Sequence, residues 1–186
     1  GSEMCIRDRN NAAGMALKDG RVDEISLEDW DAVFASDVRS TFYCTKTVLP
    51  FMQEQGAGSI INIGSMASCG GDLGSTAYAC AKAGVDMLTQ YTALQYGKQN
   101  IRCNCVRPGL IVTPLALDEF NGPRGGFYKN MFAKCPAGRP GTADEVANVA
   151  ELLMSDKGAF ITGSTFLIDG GATASYFYGP LRPEKA

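Results

Sequence analysis

Hydrophobic residues recur at every third or fourth position from about residue 27 to 54, which is the spacing of one helix face. The run Ser26-Leu-Glu-Asp29 directly before them is a capping-box pattern and predicts where this helix begins. A second helix is predicted over about 76 to 97, and its first nineteen residues carry only Lys82 and Asp86 as charges. Because a helix that is apolar on nearly every side is buried on more than one face, we expect one face to pack on a sheet and another to contact a second subunit.

Short apolar runs between the helical segments predict buried strands at 59–63, 101–106 and 164–168. A further capping box, Thr142-Ala-Asp-Glu145, predicts a third helix that ends near Ser155. Residues 114–140 are rich in glycine, proline and aromatic side chains and are predicted to form a loop. Strands that alternate with helices are typical of an α/β fold, with a parallel sheet covered on both faces. Ligands of such sheets bind beyond the carboxyl ends of the strands.

The overall composition excludes several classes of function. The chain has 186 residues, 45% of them hydrophobic and 20% charged, which is typical of one globular domain in the cytoplasm. A formal charge of −3 gives no electrostatic reason to expect binding to nucleic acid or to an anionic membrane. The sequence lacks an apolar run near the roughly 20 residues that a membrane-spanning helix needs.

The cysteine pattern argues against a metal site. Seven cysteines are scattered without a C-x-x-C pair, and the chain contains no histidine. Cysteine and histidine are the main ligands of zinc, so no metal is predicted. We interpret the cysteines as small buried apolar residues of a reducing compartment.

Tyr78 and Lys82 are the first candidates for chemistry. They lie four positions apart on the second predicted helix, so both side chains project from the same face. Free tyrosine has a pKa of about 10, and a neighbouring cation is one of the few features that lowers it. Without histidine, this pair is the best remaining device for moving a proton near neutral pH.

Several motifs together resemble one enzyme family, the short-chain dehydrogenase/reductases, over about residues 10–171. The motifs agree in order and spacing: Asn10-Asn-Ala-Ala-Gly14, Ser65, Tyr78-x-x-x-Lys82, Pro108-Gly109 with Thr113, and Asp169-Gly-Gly171. The resemblance implies a three-layer Rossmann-like domain over 10–171, followed by a tail at 172–186. It also implies an oxidoreductase that transfers hydride between NAD or NADP and the carbon of a carbonyl or secondary alcohol.

The resemblance assigns a role to each matching residue. Tyr78 would exchange a proton with the substrate oxygen, while Lys82 would lower the pKa of the tyrosine and hold the nicotinamide ribose. Ser65 would donate a hydrogen bond to the substrate oxygen as negative charge develops there. Taken alone, Ser65, Pro108-Gly109 and Asp169-Gly-Gly171 also fit plain turns. The implied cofactor contacts are Tyr78, Lys82, Pro108, Gly109, Ile111 and Thr113 on the nicotinamide side, with Asn11 and Ala12 beside the adenosine.

One position departs from the family pattern. The family carries an asparagine that completes its proton relay where this chain has Asp37, seven residues after Trp30. The spacing places Asp37 on the apolar face of its helix, and we expect it near Lys82. Asparagine can donate and accept hydrogen bonds, whereas ionised aspartate only accepts. Asp37 therefore counts among the catalytic candidates, with a weakened relay expected.

The beginning of the sequence departs from the family as well. The family opens with a strand, a T-G-x-x-x-G-x-G turn, a helix and further strand units, and none of these is found before Asn10. We expect a carboxyl-terminal part, with strands 4 or 5 to 7 of the family sheet order 3-2-1-4-5-6-7, that lacks at least about 60 residues. Residues 1–9 are interpreted as an expression scar or a sequencing artefact, because Arg7-Asp-Arg9 is charged where a buried strand is expected. Such a chain alone is expected to bind cofactor poorly, since the family's pyrophosphate site lies in the earlier half.

The expected partners are a small carbonyl or alcohol substrate and further copies of the chain. The aromatic residues within 114–140 favour an apolar substrate such as an acyl chain or a sterol, and the helices at 27–54 and 76–97 favour a homodimer or homotetramer. The choice between NAD and NADP is implied to depend on a residue after the second family strand. The alternative is a non-catalytic oligomerisation module, whereas a serine hydrolase is excluded because histidine and a G-x-S-x-G turn are both absent.

Overall fold

The computed structural model describes residues 6–10, 19–71, 75–122 and 125–174. The strands are β1 (Ile6–Asn10), β2 (Gly58–Ile63), β3 (Ile101–Pro108), β4 (Ile111–Val112), β5 (Gly141–Thr142) and β6 (Thr165–Ile168). The α-helices are α1 (Leu27–Phe34), α2 (Ser40–Gln55), α3 (Thr76–Tyr96), α4 (Pro114–Asn121), α5 (Gly125–Lys134) and α6 (Ala143–Met154). Within these ranges a parallel sheet runs in the order β1-β2-β3-β6, and β4 pairs separately with β5. This order matches strands 4 to 7 of the implied family sheet, which confirms the predicted fold class.

Helices cover both faces of this sheet, as the strand sequences dictate. Successive side chains of a strand point to opposite faces, so neighbouring isoleucines of β2 enter different cores. Ile60 packs with Met52 of α2 and Ala93 of α3. Ile61 packs on the other face, against Ala150 and Leu153 of α6. The continuous apolar run of β2 is therefore explained by burial on both sides.

The carboxyl ends of the strands meet along one rim. Asn10 lies opposite Asn62 in the register of β1 and β2. Ile63 lies opposite Val106 in the register of β2 and β3, and Pro108 lies opposite Ile168 in that of β3 and β6. Ser65, Gly109 and Asp169, which the sequence singled out, follow the ends of β2, β3 and β6 and therefore lie on this rim.

The helix predicted at 27–54 forms in three consecutive segments. α1 leads into a π-helical stretch, Ala35–Arg39, and α2 follows directly from Ser40. Gly56 caps the carboxyl end of α2 in a left-handed conformation with φ 69°. Short π-helical stretches are rare and occur frequently at functional sites, and this one contains Asp37. The other two predicted helices are confirmed as α3 and α6, the latter with the capping box of Thr142 and Glu145 in place.

The loop prediction for 114–140 is wrong, because α4 and α5 occupy most of that segment. The hydroxyl of Thr113 accepts a hydrogen bond from the Ala116 amide, and Pro114 takes the first helical position, where its missing N–H costs nothing. The Phe120 ring meets the rings of Tyr128 and Phe132 edge to face, at centroid distances of 4.8 and 5.1 Å. These aromatic contacts stabilise the two short helices, whose sequences alone do not predict helices.

Among the cysteines that the structure describes, the two in β3 fit the interpretation as buried residues. Cys103 and Cys105 are buried, whereas Cys44, Cys69 and Cys80 are exposed on the outer sides of helices and turns. Burial is the main cause that raises the pKa of the Cys103 thiol to about 12, so this thiol stays protonated. The exposed cysteines correct the expectation that all of them are core residues. Among the described residues no cluster of metal-ligating side chains occurs.

The residues before Asn10 do enter the sheet. Ile6 to Asn10 pair in parallel with Gly58 to Asn62. Asp8 lies on this edge strand, and one oxygen of its carboxylate is buried without a hydrogen-bond partner in the part of the chain that the structure describes. The interpretation of residues 1–9 as an artefact concerns their origin and stays a prediction.

In the described ranges, no helix combines the length and apolar character that crossing a bilayer requires.

Replacing Asp8 by valine is expected to stabilise the chain. The change removes a buried polar atom without a partner, which costs about 1–3 kcal/mol, and places a β-branched side chain in a strand. Urea unfolding of Asp8→Val should therefore show a free energy of unfolding higher by about that amount. Asp8→Asn removes the charge but keeps a polar group there, so its gain should be smaller. An unchanged or lowered midpoint for Asp8→Val would contradict this account of β1.

Candidate active site

Ser65 follows the end of β2 and begins a short 3₁₀ turn, Met66–Cys69. Its backbone is extended, and its hydroxyl oxygen accepts a hydrogen bond from the Ala67 amide at 3.1 Å. The Ser65 side chain also lies beside the Tyr78 phenol and acts to lower its pKa. Ser65 is therefore both a turn residue and a neighbour of the candidate acid, so the two alternatives from the sequence coexist.

Tyr78 and Lys82 lie on the same face of α3, as their spacing predicts. The Lys82 ammonium nitrogen is 5.6 Å from the centre of the Tyr78 ring. Only 2% of Lys82 is exposed, and its Nζ donates a hydrogen bond to the Ile63 carbonyl at 3.1 Å. Because Ile63 ends β2, this bond fixes the ammonium at the carboxyl rim of the sheet.

The pKa of Tyr78 departs from the sequence expectation. Burial is the largest influence and raises the pKa above 10.0, and the negative charge of Asp37 raises it further. The interaction with Ser65 acts in the opposite direction without reversing the shift. The shift is therefore opposite in direction to the one the sequence predicts, since loss of hydration disfavours the phenolate. At neutral pH the phenol in this structure carries its proton.

Asp37 is fully buried beside Lys82. Its Oδ1 atom lies 3.6 Å from the lysine Nζ, and 0% of its side chain is exposed. Its backbone carbonyl accepts a hydrogen bond from the Thr41 hydroxyl at 2.7 Å. As expected from the sequence, Asp37 therefore lies on the apolar face of its helix and close to Lys82.

The segment after β3 forms a second wall of the site. The Gly109 amide donates to the Ile168 carbonyl at 2.8 Å, and a Cβ on Gly109 would lie 2.7 Å from the Asp169 Cα. Only glycine allows this close approach of β3 to the end of β6. Ile111 lies in β4, and Thr113 caps α4. Asn11 and Ala12, the expected contacts near the adenosine, lie outside the described residues.

The donors present suit the nicotinamide end of a dinucleotide. Lys82 offers an ammonium and Tyr78 a phenol for ribose hydroxyls, which both donate and accept hydrogen bonds. The Thr113 hydroxyl oxygen is engaged with the Ala116 amide, but its own O–H stays available to a carboxamide oxygen. Tyr78, Lys82 and Thr113 would therefore hold that end of the cofactor.

A cavity of about 240 Å³ opens beside this rim. Met66, which follows Ser65, and Leu110, which follows Gly109, contribute to its wall. Apolar side chains of α5 (Met131 and Phe132), of the loop after it (Ala137) and of the end of β6 (Ile168) also line the cavity. The Arg139 and Glu145 side chains, paired at 2.6 Å, supply charge at its edge.

Sequence reasoning missed two features of the site. Asp86 on α3 forms an ion pair with Arg107 of β3 at 2.8 Å, and the Arg107 guanidinium donates to the Cys69 sulfur. Asp19 caps the beginning of α3 from more than fifty residues away. Both depend on long-range contacts, and no local pattern in the sequence indicates them.

The family model described as enoyl-(acyl carrier protein) reductase matches residues 9–173. The chain is 37% identical over 165 residues to the 7alpha-hydroxysteroid dehydrogenase of Bacteroides fragilis, covering 88% of this chain and 62% of that protein. It is also 37% identical over 161 residues to a 3-oxoacyl-(acyl-carrier-protein) reductase of Thermotoga maritima, covering 87% and 63% respectively. The chain spans between 58% and 65% of the length of the first curated relatives that it matches.

Solved structures share the fold. The structure titled ElxO with NADP bound superimposes with a TM-score of 0.84 at 30% sequence identity. The match covers 91% of this chain and 68% of that one.

Proposed function

The chain belongs to the short-chain dehydrogenase/reductase family, and we propose that it transfers hydride between NAD or NADP and the carbon of a carbonyl or secondary alcohol. The observation that carries this proposal is the grouping of Ser65, Tyr78 and Lys82 at the carboxyl rim of the sheet. Bound NAD or NADP would supply or accept the hydride. The protein's own residues would handle the proton and the charge on the substrate oxygen.

Tyr78 acts as the general acid during carbonyl reduction. Its raised pKa keeps the phenol protonated at neutral pH, so the form that can donate a proton is the form present. Ser65, beside the same phenol, lies where it can donate to the substrate oxygen as negative charge develops. Lys82 keeps its position through the Ile63 carbonyl and Asp37, and holds the nicotinamide ribose. In the reverse direction the phenolate accepts the proton of the alcohol, which requires higher pH.

The substrate is an apolar carbonyl compound. The mainly apolar cavity next to Met66 and Leu110 supports this choice. The names of two relatives suggest compounds to test, a ketosteroid and a 3-oxoacyl thioester. Oxidation of NADH or NADPH, followed by absorbance with each carbonyl over cofactor concentrations high enough to offset weak binding, tests the function. The absence of turnover with every compound at the highest cofactor concentration would argue against it.

A non-catalytic oligomerisation module is the second candidate. Large apolar side chains on α2 and α3 are exposed in the single chain, namely Phe42, Tyr43, Phe51, Met87, Tyr91 and Leu94. We propose that these helices, at 27–54 and 76–97, join two or four copies of the chain, which sedimentation would test. The 186-residue chain alone is proposed to bind cofactor poorly. Saturable binding of NADH or NADPH by the purified chain would refute that and favour the enzyme over the module.

Replacing Asp37 by asparagine is expected to speed carbonyl reduction. The change removes a negative charge that raises the Tyr78 pKa, so the phenol becomes a stronger acid, and an amide can both donate and accept in the relay. A gain in kcat of about threefold to tenfold corresponds to one pKa unit or less. Asp31→Asn makes the same change at an exposed position of α1 and should leave kcat unchanged. Equal kcat values for Asp37→Asn and the parent would show that Asp37 does not weaken the proton relay.

A further inference from the structure

The first turn of α3 is held by a distant segment of the chain. The first amides of a helix have no partner within the helix, so each needs an acceptor from elsewhere. The Ala77 amide donates to Asp19 Oδ1 at 3.1 Å, and the Tyr78 amide donates to Asp19 Oδ2 at 2.8 Å. The Thr76 amide and hydroxyl both donate to the Gly20 carbonyl, at 3.4 and 2.7 Å.

This arrangement differs from an ordinary helix cap. A cap residue adjacent to the helix usually accepts from the second or third amide, but the side chain of Ser75 makes no such bond. Asp19 replaces it with one carboxylate that accepts from two consecutive amides. Its Oδ1 atom also accepts from the Gly20 amide at 2.8 Å, which locks the carboxylate in place. The negative charge is favourable there, because the amino end of a helix carries partial positive charge.

We propose that Asp19 is a positioning residue for Tyr78, which fixes the phenol through the backbone of its own helix turn. The Tyr78 amide is bound directly, so a shift of the first turn moves the Tyr78 Cα and its ring together. Lys82 lies one turn further along α3 and is held independently through Ile63. Loss of the Asp19 contact would therefore displace the phenol relative to Ser65 and leave Lys82 in place. The inference rests on the proposed function only for its kinetic consequence.

Asp19→Asn is the variant that tests this proposal. It keeps the size of the side chain, but its amide nitrogen cannot accept, so one of the two helix amides loses its partner. Asp23→Asn is the matched control, because Asp23 lies in the same loop, is 74% exposed and pairs with the exposed Arg21. Hydrogen exchange of the 75–79 amides, with α6 as an internal reference, is measured first. The kcat and KM of carbonyl reduction are measured second.

For Asp19→Asn we expect exchange in the first turn of α3 to rise at least about tenfold, while exchange in α6 stays unchanged. The value of kcat should fall by about tenfold to a hundredfold with KM nearly constant, since small displacements of a reacting group have effects of that size. Asp23→Asn should match the parent in both measurements. Faster exchange with an unchanged kcat would overturn the proposal, as would a fall in kcat without faster exchange. Equal loss of protection in α3 and α6 would make Asp19 a general stabiliser and overturn it too.

A parent without turnover would refute the proposed function but would still allow the inference to be decided. The titration of Tyr78 is then obtained as the absorbance difference between each protein and its Tyr78→Phe variant. A loosened phenol loses part of its burial, so Asp19→Asn should bring the pKa of Tyr78 back toward its ordinary value. An unchanged Tyr78 titration would overturn the positioning role.

Discussion

Tyr78→Phe is expected to lower kcat for carbonyl reduction by about 10²–10⁴-fold, the usual contribution of a positioned general acid. Phenylalanine keeps the ring that packs against α1 and loses only the hydroxyl that donates the proton. The described site offers no histidine to take over this role, because the chain contains none. The measurement is steady-state oxidation of NADH or NADPH with a carbonyl substrate that the parent reduces.

The stability of Tyr78→Phe should change little. The variant loses at most the interaction of the phenol with Ser65, and a typical hydrogen bond contributes about 1 kcal/mol. Tyr96→Phe removes a hydroxyl from the last residue of the same helix and should keep full activity. If Tyr78→Phe retained more than a tenth of the parental kcat, the proton would have to come from another group, and the proposed mechanism would be wrong.

The helices and strands could be predicted from the sequence where burial of their faces leaves a regular pattern of apolar residues. Ile60 and Ile61 enter opposite cores, so β2 reads as a continuous apolar run between helices, which is the pattern of a parallel strand. The segments α4 and α5 were missed because each is short, α4 begins at a proline and α5 begins with two glycines. Their order depends on contacts between Phe120 and the rings of α5, which no local pattern reveals. The π-helical stretch at Asp37 was likewise invisible, since its apolar periodicity resembles that of an α-helix.

The site was predictable in its members and not in its electrostatics. Spacing alone places Tyr78 and Lys82 on one helix face, and their approach follows from that. The direction of the Tyr78 pKa shift depends on how much water the fold excludes, because burial is the largest influence on this pKa. The Asp19 contact joins residues more than fifty positions apart, so only the folded chain shows it.

Lys82→Met is expected to destabilise the protein by about 3–5 kcal/mol, the usual cost of removing one partner from a buried ion pair. Lys82 and Asp37 are 2% and 0% exposed, and the ammonium lies 3.6 Å from the carboxylate. Methionine matches the length of the lysine stem but leaves the carboxylate without this cation. Lys98→Met makes the same change at an exposed position after α3 and should stay within about 0.5 kcal/mol of the parent.

A second substitution separates the stability of the pair from its role in the reaction. Replacing a buried ion pair by apolar residues of similar size is often neutral or stabilising, by about 1–4 kcal/mol. Lys82→Met with Asp37→Leu should therefore recover most of the stability lost by Lys82→Met, as measured by urea unfolding. The double variant should still not turn over, because the ammonium that holds the ribose is absent. A double variant as unstable as the single one would show that the two charges are not coupled, and recovered turnover would remove Lys82 from the mechanism.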